Sequence, residues 1–138
     1  MEKKIITILM AIIILLIFFC FLVIFMKSGV KINKNKSYYN DFEVKGEDVY
    51  IYCWISFCNN ENKDKSISIE GKFPEDKRSG FLVDESLKGK FVDSDSYDIH
   101  IGPKQKLENV KVVFIGKKGD YDKKANKKLP SIIIIENK

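Results

Sequence analysis

A run of 22 residues without a charged side chain constrains this chain more than any other feature. The run begins at Ile5 and ends at Met26, and its only polar side chain is that of Thr7. As a helix rising about 1.5 Å per residue it would extend roughly 33 Å, close to the roughly 30 Å hydrocarbon core of a bilayer. Residues 5–26 therefore predict one membrane anchor in contact with the lipid bilayer.

A cleaved signal peptide is the competing interpretation of this segment. Such a peptide has an apolar core of about 7 to 15 residues followed by a cleavage site with small residues. The core here is longer, and residues 26–30 match such a site poorly. The phenylalanines around Cys20 also disfavour a lipoprotein. We expect the anchor to be retained.

The charges that flank the anchor give an ambiguous orientation. Two lysines precede it and four follow it in residues 27–36, a count that alone favours a cytoplasmic C-terminal side. However, a charged start, one long apolar run and a single following domain resemble an uncleaved signal anchor, and long domains translocate largely regardless of charge. We expect a single-pass protein of the cytoplasmic membrane with an extracytoplasmic C-terminal domain.

The formal net charge of +5 is concentrated beside the anchor. Residues 1–4 contribute +1 and residues 27–36 contribute +4, whereas residues 37–138 hold 18 basic and 18 acidic side chains. A neutral folded part gives no support for a nucleic-acid partner. The predicted organisation is a short charged N-terminus (1–4), the anchor (5–26), a Lys/Asn-rich stalk (27–40) and a β-sandwich domain (41–138).

Beyond residue 40, apolar and polar residues alternate with the period of a β-strand. Residues 49–57 have an aliphatic face and an aromatic face, both expected to be covered, and residues 67–73 are expected to pair with them as a hairpin. Further short strands are predicted over residues 81–83, 87–91, 97–101, 110–115 and 132–135, the last being buried on both faces. This spacing predicts an all-β fold, an antiparallel β-sandwich of immunoglobulin-like type.

Candidate catalytic and metal-binding residues are few. His100 alternates with aliphatic neighbours, and no nucleophile with an orienting acid is recognisable from spacing. Asp93, Asp95 and Asp98 are spaced loosely as in a calcium loop but lack its glycine and its bidentate Glu, which favours a solvated turn. No Cys/His set indicates zinc, and no glycine-rich phosphate loop is present. We predict no enzymatic activity, no metal and no cofactor.

The folded part contains two cysteines, Cys53 and Cys58. On a continuous strand their side chains would point to opposite faces, so a disulfide between them requires a bulge or a turn. The spacing favours free thiols and leaves the disulfide open as an alternative.

The loop over residues 116–130 is the strongest candidate binding element. Six lysines stand there against two aspartates, a local excess of four positive charges. Runs of charge are usually solvated, so simple solvation of these lysines is the favoured interpretation. A site for an anionic surface polymer, phosphate or an acidic envelope protein is the alternative hypothesis, because loops on rigid sandwiches often bind partners. The candidate residues are Lys117, Lys118, Lys123, Lys124, Lys127 and Lys128.

Both residue usage and the order of segments carry a resemblance. Lys supplies all but one of the 24 basic residues, a usage typical of the AT-rich genomes of Gram-positive bacteria. After the anchor come NNENKDKSISIEGKF, PEDKRSGFLVDESLKGK, YDIHIGPKQKLENVKVVFIGKKG and KKLPSIIII. This order resembles small membrane-anchored immunoglobulin-like β-sandwich proteins of Gram-positive bacteria, a group without an established activity. The resemblance implies the fold and a surface location and transfers no functional residue.

These observations predict a membrane-anchored extracytoplasmic binding module of the cell envelope. The alternative is an accessory or immunity-type subunit of a membrane complex that acts through its transmembrane helix. The helix lacks a small-xxx-small motif and internal polar residues, which disfavours the alternative.

Overall fold

The computed structural model describes residues 1–27, 29–120 and 126–137, which form an N-terminal helix followed by a β-domain. Helix α1 (Glu2–Lys27) precedes eight strands and a second, short helix. These elements are β1 (Val30–Ile32), β2 (Tyr38–Lys45), β3 (Asp48–Asn59), β4 (Lys65–Lys72), α2 (Pro74–Arg78), β5 (Ser86–Phe91), β6 (Asp98–Ile101), β7 (Lys106–Lys117) and β8 (Ser131–Asn137).

Helix α1 is long and apolar enough to cross a membrane. Over Glu2–Val23 its mean hydropathy is 3.4, and the rest of the described protein buries none of this stretch. The hydroxyl of Thr7 donates a hydrogen bond to the carbonyl of Lys3 at 2.9 Å, so the one polar side chain of the segment is satisfied within the helix. The prediction of an N-terminal helix of spanning length is confirmed.

The strands pair antiparallel throughout and surround one core. In the first sheet, β3 pairs with β1 and β2 along one edge and with β7 along the other. In the second, β4 pairs with β8 along one edge and with β5 and β6 along the other. Strand β5 joins the two, because its first half pairs with β4 and its second half with β7. The mostly antiparallel β fold is confirmed.

The core lies between the inward faces of these sheets. The aliphatic face of β3 is fully buried, as its alternation predicts, since Val49, Ile51, Cys53 and Ile55 are each 0% exposed. Phenylalanine rings cross the space between strands as edge-to-face pairs, a preferred geometry for aromatic contacts. The pairs are Phe42–Phe81, Phe57–Phe91 and Phe73–Phe114.

The predicted hairpin between residues 49–57 and 67–73 is wrong, because β3 and β4 lie in different sheets. The side chain of Asn59, 0% exposed at the end of β3, holds the corner. Its amide nitrogen donates to the carbonyls of Lys63 (2.8 Å) and Gly102 (2.9 Å), and its amide oxygen accepts from the backbone of Glu61 (3.0 Å). These bonds turn the chain out of one sheet and into the other.

The prediction of a stalk over residues 27–40 is wrong, because most of this segment is folded into the β-domain. It contains β1, a 3-10 helix (Lys34–Lys36) and the start of β2, and the side chain of Val30 belongs to the core. The backbone nitrogen of Ser56 donates to the hydroxyl of Ser37 at 3.0 Å, which ties this segment to β3. An edge strand can carry many exposed polar side chains, so its composition resembles that of a linker.

Two further predictions need correction. Residues 81–83 form no regular strand: Leu82 makes one isolated bridge to Lys118 and is buried against the core. Strand β8 is not buried on both faces, since it pairs only with β4 among the described strands, and Ile133 and Ile135 are each 45% exposed. Four consecutive isoleucines favour a strand, but they do not determine how many neighbours it has.

Candidate functional site

The six lysines of the predicted loop do not form one cluster in the described residues. Lys117 ends β7 and pairs with Asp48, Nζ to Oδ1 at 2.6 Å. The backbone nitrogen of Lys118 donates to the carbonyl of Glu47 at 2.7 Å. Both residues therefore lie beside the start of β3. Lys123 and Lys124 lie outside the described residues.

Lys127 and Lys128 are exposed and lead into β8. Lys127 has a φ of +46°, in the left-handed region. Just before it, the backbone nitrogen of Asn126 donates to Oδ1 of Asp76 at 2.9 Å. Asp76 is only 6% exposed, and this burial raises the pKa of its carboxyl group, while the bond from Asn126 opposes the rise. A buried carboxylate thus fixes where the chain enters β8.

A cleft of about 540 Å³ opens between β1 and β8, where the two sheets do not pair. We call it the β1–β8 groove. Its apolar part comes from the partly buried side chains of Ile32, Leu129, Ile132 and Ile134, which pack against the core. Among the described residues, the groove is lined by Lys31, Ile32, Lys34, Leu129, Pro130, Ser131, Ile132 and Ile134.

The rim of the β1–β8 groove is basic. The exposed side chains of Lys31 and Lys34 line it, and no acidic residue does so in the part of the chain that the structure describes. Within the described ranges, neither lysine is part of an ion pair, whereas nearby Lys36 pairs with Glu108 at 2.5 Å. The groove therefore combines an apolar floor with two cations that are available to an anionic group.

Glu136 closes one end of the groove. Its Oε1 accepts a hydrogen bond from the backbone nitrogen of Val30 at 3.5 Å, and its Oε2 pairs with Lys65 at 3.0 Å. Lys65 also pairs with Glu61 at 2.7 Å. This network links β8 to β1 at Glu136, two residues beyond Ile134, the last residue of β8 that lines the groove.

The groove brings together two segments that sequence reasoning treated separately. Lys31 and Lys34 come from the predicted stalk, and Leu129 and Pro130 come from the end of the predicted lysine loop. The signal in the sequence was a lysine-rich segment next to apolar residues at both places, but about 100 residues separate them. Because β1 starts three residues after α1 ends at Lys27, the groove also lies next to the helix in the chain.

The aromatic face of β3 is covered by lysines. The ammonium group of Lys111 lies 5.2 Å from the ring centre of Tyr52 and 5.9 Å from that of Trp54, and that of Lys45 lies 5.2 Å from the ring centre of Tyr50. All three rings are half-buried. Such cation–π contacts and the aliphatic stems of the lysines shield the rings from water.

The remaining candidates show no catalytic grouping. His100 is exposed on β6, Asp95 pairs with Lys90 at 2.6 Å, and Asp98 accepts from the side chain of Asn137 at 3.0 Å. Across residues 1–27, 29–120 and 126–137, no three His, Cys, Asp or Glu side chains lie close enough together to hold a metal ion.

Both cysteines of the β-domain are free thiols. Cys53 is buried in the core, and burial raises the pKa of its thiol to about 12. Cys58 is half-buried, with its sulfur 3.2 Å from Oδ1 of Asn60. The disulfide that the sequence left open is not formed.

No protein-family model, curated protein or solved structure matches the chain. Function is therefore inferred from the geometry of the β1–β8 groove, whose first strand follows α1 in the chain.

Proposed function

We propose that the protein is a single-pass, membrane-anchored binding module that holds an acidic partner of the cell envelope in the β1–β8 groove. The observation that carries this proposal is an apolar floor beside Lys31 and Lys34, which make no ion pair within the described residues and lie four and seven residues beyond the end of α1. Apolar clefts with a few charged groups at the rim are typical binding sites. The proposal assigns no catalytic residue, metal or cofactor.

The β-domain is proposed to be an immunoglobulin-like sandwich. Two antiparallel layers over one core, joined through β5 into one hydrogen-bonded sheet, support this assignment. Strand β5, which is shared between the sheets, makes the domain more closed at one side than two separate sheets would be.

The proposed orientation places the β-domain on the outer face of the cytoplasmic membrane, with α1 retained as the anchor. A single spanning helix followed by one large domain supports it. Added protease should destroy a C-terminal epitope tag in protoplasts but not in intact cells whose wall excludes the protease. A tag that resists protease in protoplasts, and is cleaved only after detergent, would contradict this orientation.

Charge reversal at the groove tests the binding function. The full-length double variant Lys31→Glu/Lys34→Glu should lose an envelope partner that the wild type retains in affinity capture from detergent-solubilised membranes. The variant Lys63→Glu/Lys106→Glu is a matched control, because it makes the same change in net charge at exposed lysines outside the groove. Identical partner sets for all three proteins would refute the assignment of the groove.

The alternative function is that of an accessory or immunity-type subunit acting through α1. The observation that favours it is the exposure of the apolar side chains from Ile5 to Val23, none of which packs against the β-domain. Replacing α1 by an unrelated spanning helix separates the two functions. Retained partner capture favours the binding module, and loss of capture with normal membrane insertion favours the helix.

A further inference from the structure

We propose that the free edge of β8 accepts an extended acidic segment of a partner protein as an additional strand. This inference rests on the proposed binding function and specifies how the partner is held. Addition of a strand to an exposed sheet edge is a recurrent way of binding peptides, in which main-chain hydrogen bonds supply affinity and side-chain pockets supply specificity.

The edge of β8 has the properties that such binding requires. All seven residues of Ser131–Asn137 pair with β4 in continuous register, so the strand has no bulge and is held along its whole length from one side. No other described strand pairs with its opposite edge. Edge strands are commonly protected by a lysine, a proline or a bulge. The middle of β8 consists of four isoleucines in unbroken register, so it carries none of these protecting features.

The groove beside this edge favours one kind of side-chain pattern. Successive side chains of an extended segment point to opposite sides. Apolar side chains on one side would lie on Ile32, Ile132 and Ile134, while acidic side chains would reach Lys31 and Lys34. The charge of the rim therefore selects an alternating apolar and acidic segment over a basic one.

The Glu136 network limits the length of the segment. Because Glu136 links β8 to Val30, the edge left for an added strand runs from Ser131 to Ile135. Five strand residues span about 17 Å at roughly 3.3 Å per residue. A peptide of seven residues therefore fills the available edge with a residue to spare at each end.

Amide hydrogen exchange on the full-length protein in phosphatidylcholine nanodiscs tests the proposal. The probe is the acetylated and amidated peptide EVEVEVE at millimolar concentration, with KVKVKVK as its charge-reversed control. A third peptide carries the acidic sequence with N-methyl groups on its valines, which removes main-chain donors and leaves every charge in place.

The acidic peptide should slow exchange of the β8 amides at least fivefold, and neither control peptide should do so. The variant Lys31→Glu/Lys34→Glu should weaken binding of EVEVEVE at least tenfold, while Lys63→Glu/Lys106→Glu should leave it unchanged.

Three results would overturn strand addition. Equal protection by the N-methylated peptide would show that charge alone holds the segment. Protection by phosphatidylglycerol in the nanodisc, with no added effect of peptide, would identify anionic lipid as the occupant. No change in β8 with any probe would show that the edge does not accept a strand. The first and third results leave charge-dependent capture of an envelope partner intact, so strand addition can fail while the proposed binding function holds. Occupation by lipid would count against both.

Discussion

Gly89 of β5 lies directly against Ile69 of β4: a methyl group built on Gly89 would stand 2.6 Å from Cγ1 of Ile69. Gly89 is also the first residue of β5 that pairs with β7, opposite Phe114. The missing side chain thus lets β5 pass close over the core at the point where it moves from one sheet to the other.

The substitution Gly89→Ala should destabilise the β-domain by about 1–3 kcal/mol, because overpacking of a dense core forces neighbouring side chains to move. Guanidinium unfolding of the full-length protein in detergent, followed by the fluorescence of its only tryptophan, Trp54, measures the change. Lys88→Ala, at the exposed neighbouring position, should change stability by less than about 0.5 kcal/mol. Equal stability of the wild type and Gly89→Ala would contradict the tight crossing.

The corner held by Asn59 gives a second prediction. Asn59→Ala removes a buried side chain that satisfies the carbonyls of Lys63 and Gly102 and the amide of Glu61, and the loss should cost about 2–4 kcal/mol. The exposed Asn62 provides the matched control, and Asn62→Ala should be nearly neutral. If both variants unfold at the same denaturant concentration, the corner does not depend on the Asn59 network.

Asp76 should make stability depend on pH. Burial raises its folded-state pKa above the unfolded value of 3.8, so protonation favours the folded state. This favourable contribution is full below pH 3.8 and is lost as the pH rises through the folded-state pKa. Asp76→Asn keeps an oxygen that can accept from Asn126, and it should be more stable than the wild type at pH 7.

The stability difference between Asp76→Asn and the wild type should shrink as the pH falls toward 3.8. Denaturant unfolding at several pH values measures this trend, and Asp76→Ala, which loses the acceptor, should be destabilised at every pH. A wild type that is more stable than Asp76→Asn at pH 7 would contradict the conclusion that burial disfavours the ionised carboxylate of Asp76.

Thiol reactivity distinguishes the two cysteines of the β-domain. With a pKa of about 12, Cys53 is almost entirely protonated at pH 8, and it is 0% exposed. In a Cys20→Ser background, Cys58 should react with a maleimide in the native protein, whereas Cys53 should react only on unfolding. Single variants Cys53→Ser and Cys58→Ser assign each reaction. Rapid native labelling of Cys53 would show that the core around β3 opens readily.

The sequence predicts well those features that depend on one segment at a time. The uncharged run predicts α1, and the alternation of residues 49–57 predicts the buried face of β3. The partners of each strand depend instead on distant residues. The polar run after β3 is compatible with a hairpin turn, and only the buried contacts of Asn59 show that the chain changes sheets.

The candidate site was predicted only in part for the same reason. Lysine enrichment drew attention to both segments that meet at the β1–β8 groove, but composition carries no information on which segments become neighbours. Lys117 was predicted to bind a partner, yet it pairs with Asp48, the first residue of β3, about 70 positions earlier in the chain. Lys31 was assigned to a stalk, and the structure places it on an edge strand instead.

The short strand β1 is the part of the domain that would detach first under a pull from the membrane. If α1 is anchored, tension between membrane and domain enters at Val30, where only three residue pairs hold β1 to β3. Peeling β1 and the 3-10 helix away as far as Tyr38 would release eight residues, about 27 Å of extended chain at roughly 3.4 Å each. The longer β2 would remain paired with β3. Residues 30–37 are folded against the domain at rest, and under tension they would lengthen the link between membrane and domain without unfolding its core.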